Sequence, residues 1–148
     1  MRVAERMRRE PPTVDPRESL GHAGRLLARH RLGALPVVRG HALIGLLDAA
    51  DLDRAHPSAA TTLAVGEITA RLDRVRVERV LRPGFPAVGR RTPLVDAIRL
   101  MRTRHLTALP VAQGDRLIGL LTEDDLLALL AALLDDQPPS TTPSPSYS

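Results

Sequence analysis

Apolar residues along the chain fall into short blocks whose spacing changes from block to block. Leu20, Ala23, Leu26 and Leu27 recur at helical spacing. They predict a helix that opens at Ser19, whose hydroxyl suits an N-cap. Gly21 and Gly24 interrupt it, each at about 1 kcal/mol relative to Ala. Leu35–Arg39 and Ala42–Leu47 are apolar runs of strand length separated by Gly40-His41, a hairpin signal. A helix is expected from near Ala49 to near His56-Pro57. Ahead of these elements, residues 3–9 predict a short helix or turn that Glu10-Pro11-Pro12 stops. Thr13-Val14 fits a short strand, and Asp15-Pro16-Arg17-Glu18 a turn.

The same order returns 74 residues later without a gap. Ala34-Leu35-Pro36-Val37 recurs as Ala108-Leu109-Pro110-Val111, and Leu43-Ile44-Gly45-Leu46-Leu47 as Leu117-Ile118-Gly119-Leu120-Leu121. Val3, Arg8, Pro12, Val14, Arg17 and Leu20 recur as Val77, Arg82, Pro86, Val88, Arg91 and Leu94. The second copy therefore predicts Val77–Leu81, a strand at Pro86–Val88, and a helix with Thr92 as N-cap and Pro93 at its first position. Strands at 109–112 and 116–121 and a final helix from Glu123 follow. The helix of the first copy, with its two glycines, should be the weaker. Two copies are too few for a solenoid, so they are expected to pack as one globular unit.

Between the copies, Leu63, Ile68 and Leu72 suggest a connecting helix over residues 61–74. The division expected is a first motif at 1–56, a linker at 57–76, a second motif at 77–136 and a tail at 137–148. That tail is rich in Pro, Ser and Thr and is expected to be disordered. Residues Leu126–Leu134 are apolar nearly all round, and such a helix must be covered on more than one side. A partner subunit in addition to the core, hence a homodimer, is the expectation.

Composition narrows the functional classes. Of 148 residues 43% are hydrophobic and 26% charged, within the ordinary globular range. Phe85 and Tyr147 are the only aromatics, so binding of single-stranded nucleic acid by base stacking is not expected. The net charge of +4 rests on arginines alone, since the chain has no Lys. They are scattered rather than massed, and nucleic acid is not an expected partner. Without cysteine there is no disulfide or thiol chemistry. No leader is visible and no stretch reaches the ~18 apolar residues of a membrane span. The expected location is cytoplasmic, with no membrane partner.

Each copy has the order strand, helix, strand, strand, helix, with Leu-Pro-Val in the second strand and Gly-Leu-Leu-x-x-x-Asp-Leu at the end. This resembles the CBS domain, a small module that occurs as a tandem pair, the Bateman module. The resemblance covers residues 3–134 and implies an α+β fold: two β-α-β-β-α motifs related by a pseudo-two-fold axis. The linker residues Pro57–Leu63 also resemble those of stand-alone, acetoin-utilisation-like members.

In that family the cleft between the motifs binds adenosine nucleotides or related adenosyl compounds, at a Gly-apolar-x-Thr/Ser-x-x-Asp signature. Gly119-Leu120-Leu121-Thr122-Glu123-Asp124-Asp125 carries it in full. The resemblance implies that Asp125 accepts both ribose hydroxyls, that Thr122 contacts a phosphate, and that adenine lies against Ala87-Val88 and Leu109-Pro110. A carboxylate can take two hydroxyl donors, and a helix start offers free N–H groups to an anion. The first copy keeps Asp51 but has Asp48 where Thr or Ser is expected. Asp48 would oppose a phosphate by up to ~4 kcal/mol at 4 Å and an effective dielectric of 20. Gly33-Ala34 and Thr107-Ala108 stand where many members place Arg or His before the Leu-Pro-Val.

Thr122-x-x-Asp125 fits a capping box equally well, and the two roles are compatible. His22, His30, His41, His56 and His105 show no ligand spacing, so no metal site is expected. Ser19 and Ser58 lie in no nucleophile motif, and Glu123-Asp124-Asp125 has no partner His or nucleophile. No catalytic constellation and no cofactor are expected. The reading is a non-catalytic regulatory module that senses AMP, ADP, ATP or S-adenosylmethionine and acts on an unknown protein. The alternative is a structural interaction dimer with vestigial sites.

Overall fold

The computed structural model describes residues 1–55 and 70–136. His56, most of the expected connecting helix and the 137–148 tail lie outside the described residues; residues 70–72 are helical. The elements are α1 (Leu20–His30), β1 (Ala34–Arg39), β2 (Ala42–Asp48), α2 (Ala49–Ala55), α3 (Leu94–Arg104), β3 (Ala108–Gln113), β4 (Arg116–Thr122) and α4 (Glu123–Asp135). Short 3-10 turns at Val3–Glu5 and Val77–Arg79 open the two copies. The α+β reading with two repeated motifs holds.

Two antiparallel hairpins join into one four-stranded sheet in the order β1-β2-β4-β3. They meet where Ala42 pairs with Arg116, positions equivalent in the repeat. Around this point the Leu43 N–H donates to the Asp115 carbonyl at 2.7 Å and the Leu117 N–H to the His41 carbonyl at 3.4 Å. Equivalent residues thus trade equivalent bonds, as a pseudo-two-fold axis requires. Gly40 and Gly114 turn the hairpins with φ of 63° and 62°, a region glycine enters without steric cost. Val14 and Val88 each add a single parallel bridge, to Val37 and Val111 respectively.

The opening segments are exchanged between the copies. Val3 is fully buried in the second core with Leu94, Leu109 and Leu121, whereas Val77 is fully buried in the first with Leu20, Leu35 and Leu47. Met7 crosses to Gly119, where an added Cβ would stand 2.6 Å from the Met7 sulfur and 2.9 Å from the Arg8 carbonyl oxygen. Leu81 reaches Gly45 in the same way, at 2.9 Å. The glycine of the signature therefore makes room for a crossing chain. Neither motif completes its core alone.

Some local expectations need adjusting. Ser19 caps α1 as expected, accepting from the His22 N–H at 3.0 Å. In the second copy the helix begins at Leu94 with Pro93 as N-cap; the Thr92 hydroxyl instead accepts from the Gly89 N–H at 3.2 Å. The turn before the helix takes that hydroxyl first. Gly21 is more than a weak point, because a Cβ there would overlap the Asp73 carboxylate. In α4, Leu126 and Leu129 pack on the second core, while Leu127, Leu130 and Leu134 are 59%, 51% and 62% exposed. Among the described residues that helix is covered on one side only.

Candidate ligand-binding site

The signature lies where β4 passes into α4. Thr122 is extended at φ −111°, ψ 153°, and the helix begins at the next residue. This geometry brings Thr122 and Asp125 together as a capping box. The Asp125 N–H donates to Thr122 Oγ1 at 3.1 Å, and the Thr122 N–H donates to Asp125 Oδ2 at 3.3 Å. The Thr122 hydroxyl donates to the same Oδ2 at 2.6 Å. Thr122 is buried, and the Asp125 side chain keeps 22% of its surface open. The carboxylate is fixed in orientation yet reachable from outside.

Asp125 has a further partner that the motif does not contain. The Arg8 Nε–H donates to both carboxylate oxygens, at 3.1 and 3.0 Å, and another guanidinium nitrogen stands 3.8 Å from Asp124. Arg8 is held there by its backbone: its N–H donates to the Leu120 carbonyl at 2.8 Å and its carbonyl accepts the Leu120 N–H at 2.9 Å. A ribose approaching Asp125 therefore meets a guanidinium already on the carboxylate. The same cation would face the anionic part of a nucleotide.

The first copy repeats this arrangement with other side chains. The Asp48 N–H donates to Asp51 at 2.9 Å, and the Asp51 N–H to Asp48 at 2.8 Å. Arg82 stands 3.2 Å from Asp51 and 3.6 Å from Asp48, and Arg54 pairs with Asp51. The two carboxylates thus face two guanidinium groups, so the like-charge argument from Asp48 alone is incomplete. Asp51 is 2% exposed. Its carboxylate is closed off where that of Asp125 is open.

The remaining candidate residues are placed differently. Leu109 is fully buried in the second core and Pro110 is buried. The Val88 N–H donates to the Pro110 carbonyl at 3.1 Å, so Val88 and Pro110 do meet. Ala87 is exposed. These two residues continue the second opening segment, whose Arg82 faces Asp51; the segment that reaches Asp125 is the first. Arg8 and Arg82 pair with the signature carboxylates but stand outside the motif. Their signal was present, since they recur at the repeat spacing. Gly33 also has a reason: a Cβ there would overlap the Thr107 side chain, its own repeat equivalent. A long basic side chain has no room at that position.

Two exchanged motifs, one shared sheet and a carboxylate at the start of each closing helix define a tandem-repeat module. A family model for the CBS domain matches residues 3–58 and 77–132, and the chain belongs to the CBS-domain family. The CBS domain-containing protein YhcV of Bacillus subtilis is 28% identical over 84% of this chain and 81% of its own length. The arabinose 5-phosphate isomerase KdsD of Yersinia pestis is 33% identical over 80% of this chain. The chain spans 33% of that isomerase's length. Among solved structures, AcuB of Vibrio cholerae superposes with a TM-score of 0.77 at 22% identity, covering 91% of this chain and 93% of AcuB. CBSX2 in complex with AMP matches at TM-score 0.69 and 25% identity, over 92% and 98% of the two chains. The MJ0100 CBS pair, in complex with methylthioadenosine and S-adenosyl-L-methionine, matches in fold at TM-score 0.71 and 18% identity, over 90% and 98%. Among the described residues no helix is long and apolar enough to cross a membrane.

Proposed function

We propose that the chain is a non-catalytic regulatory module that binds an adenosine-containing ligand at Thr122 and Asp125 and passes the change to a partner protein. The observation that carries this reading is the open, oriented Asp125 carboxylate beside Arg8. A carboxylate of this kind can accept the two ribose hydroxyls, and a guanidinium released from it can pair with a phosphate. The AMP complex of CBSX2 supports the ligand class. The fold supports such a coupling. Arg8 belongs to the exchanged segment, so a ligand that takes Asp125 changes the contact by which the first copy holds the second.

Calorimetric titration with AMP at fixed salt tests this. Asp125→Ala should weaken binding more than about tenfold, because hydrogen bonds to a charged acceptor contribute ~1.5–3 kcal/mol each. Asp51→Ala should change it little. If Asp125→Ala lowers the melting temperature and leaves AMP affinity intact, the residue is a helix cap only.

A second reading has its own support: both signature carboxylates are already paired, and α4 exposes Leu127, Leu130 and Leu134. On this view the chain works as an interaction dimer through α4. Light scattering at micromolar concentration should then give a dimer that Leu130→Glu/Leu134→Glu converts to a monomer. A monomeric native chain removes this reading.

A further inference from the structure

The opening segment has a second side. It passes Leu120 with Arg8 turned to Asp125, while Met7, Arg9, Glu10, Pro11 and Thr13 line a separate groove. The groove is open to solvent, has a volume of about 570 Å³ and extends to the hairpin turns at His41, Gln113 and Arg116. Neither Thr122 nor Asp125 lines it.

We propose that this groove is a separate binding site for a phosphate-bearing small molecule. Arg9, Arg90 and Arg116 converge on it with His41, against one carboxylate, Glu10. None of these three arginines has an ion-pair partner among the described residues, whereas Arg8, one residue away, is paired with Asp125. Guanidinium forks match phosphate oxygens two at a time, and Gln113 and Thr13 add neutral donors. Met7, Val38 and Ile118 supply an apolar floor for the rest of the ligand. The volume falls in the range of small-molecule sites.

The repeat provides an independent observation. The pseudo-two-fold axis places Pro83, Pro16 and Ala42 where the groove has Arg9, Arg90 and Arg116, and Asp115 where it has His41. Every basic side chain of the groove is missing from the equivalent place in the other copy. The equivalent place keeps one arginine, Arg39 where the groove has Gln113, and carries Asp115 and Glu78 besides. The Glu10 backbone takes φ 49°, as its repeat equivalent Gly84 does at φ 77°, so this turn belongs to the repeat and not to the groove.

The proposal stands apart from the Asp125 reading, and the test separates them. Inorganic tripolyphosphate is titrated at fixed ionic strength into the native chain and four variants. Arg9→Gln/Arg116→Gln should weaken binding more than about tenfold, and Arg90→Gln alone by a few-fold. Asp125→Ala should leave it unchanged. Arg29→Gln/Arg104→Gln, which removes the same charge from exposed helix positions, should cost less than about twofold. Equal losses in the groove pair and the helix pair would reduce the effect to net charge and overturn the proposal. So would a native chain that does not bind tripolyphosphate. Vesicles of phosphatidylglycerol that bind through the same arginines in its place would assign a lipid surface instead.

Discussion

The two closing helices begin with the same backbone device. In each, the side chain at the last strand residue and the one three positions on exchange bonds with each other's N–H groups, Thr122 with Asp125 and Asp48 with Asp51. The outcomes differ. Asp125 is open at the surface and Asp51 is shut. Residues outside the motif decide this. Arg54 covers Asp51 from α2, and its repeat equivalent in α4 is Ala128, which has nothing to reach with. Arg8 is tied by two backbone bonds to Leu120, while Arg82 is followed by Pro83 and is 61% exposed. A repeated motif thus fixes a carboxylate's orientation, and its neighbours fix whether a ligand can use it.

The sharpest way to separate the two sites is by stability. Asp51→Ala removes a buried carboxylate that serves Arg54, Arg82 and the Asp48 N–H. A loss of about 2 kcal/mol is expected, since the arginines can return to water but the N–H loses its acceptor. Asp125→Ala also frees an N–H, that of Thr122, but at a carboxylate more open to water, and should cost about 1 kcal/mol. At this chain length the difference is a few degrees in melting temperature. Equal melting points would mean that exposure does not distinguish the two carboxylates.

A smaller effect divides the two interrupting glycines of α1, whose equivalents in α3 are Val95 and Ile98. Gly21→Ala should destabilise by roughly 1–2 kcal/mol, because the new Cβ overlaps Asp73. Gly24→Ala meets only Leu52, at 3.6 Å, and should stabilise by up to about 1 kcal/mol. Thermal melts of the two variants should therefore move in opposite directions. If both rise, Asp73 yields and Gly21 is an ordinary helix interruption.

The smallest effect concerns the turn before each helix. Asp15 N–H donates to Glu18 at 3.0 Å in the first copy, as Gly89 N–H donates to Thr92 in the second. Only the first turn titrates. The side-chain hydrogen bond from Arg17 holds the Asp15 carboxyl below the usual carboxylate range. A folded pKa below the unfolded one stabilises above the unfolded value, near 4, and that gain is lost as pH falls through the folded value. Arg17→Gln should raise the Asp15 pKa, read by NMR titration, and should change stability only above about pH 4. An unshifted Asp15 would show that Arg17 does not hold it.

Most of the fold was legible in the chain because it rests on local periodicity. The strand runs at Leu35 and Leu109, the Gly40 and Gly114 turns and the Ser19 cap each draw on residues a few positions apart. The Thr122–Asp125 pair was legible for the same reason. The start of α3 was misread by one residue because Thr92 had two local uses for its hydroxyl, and the turn took it.

What the sequence by itself determined is the repeat, the order of its elements and the one complete signature. Tertiary structure alone decided that the opening segments change places, that Arg8 meets Asp125 across 117 residues, and that Gly21, Gly33 and Gly119 are contact points. It also gathered Arg9, Arg90 and Arg116 into one groove. The physical reason is range. Hydrophobic period and capping act within one or two turns of chain, whereas charge pairing and close approach depend on which distant segments the shared sheet brings together.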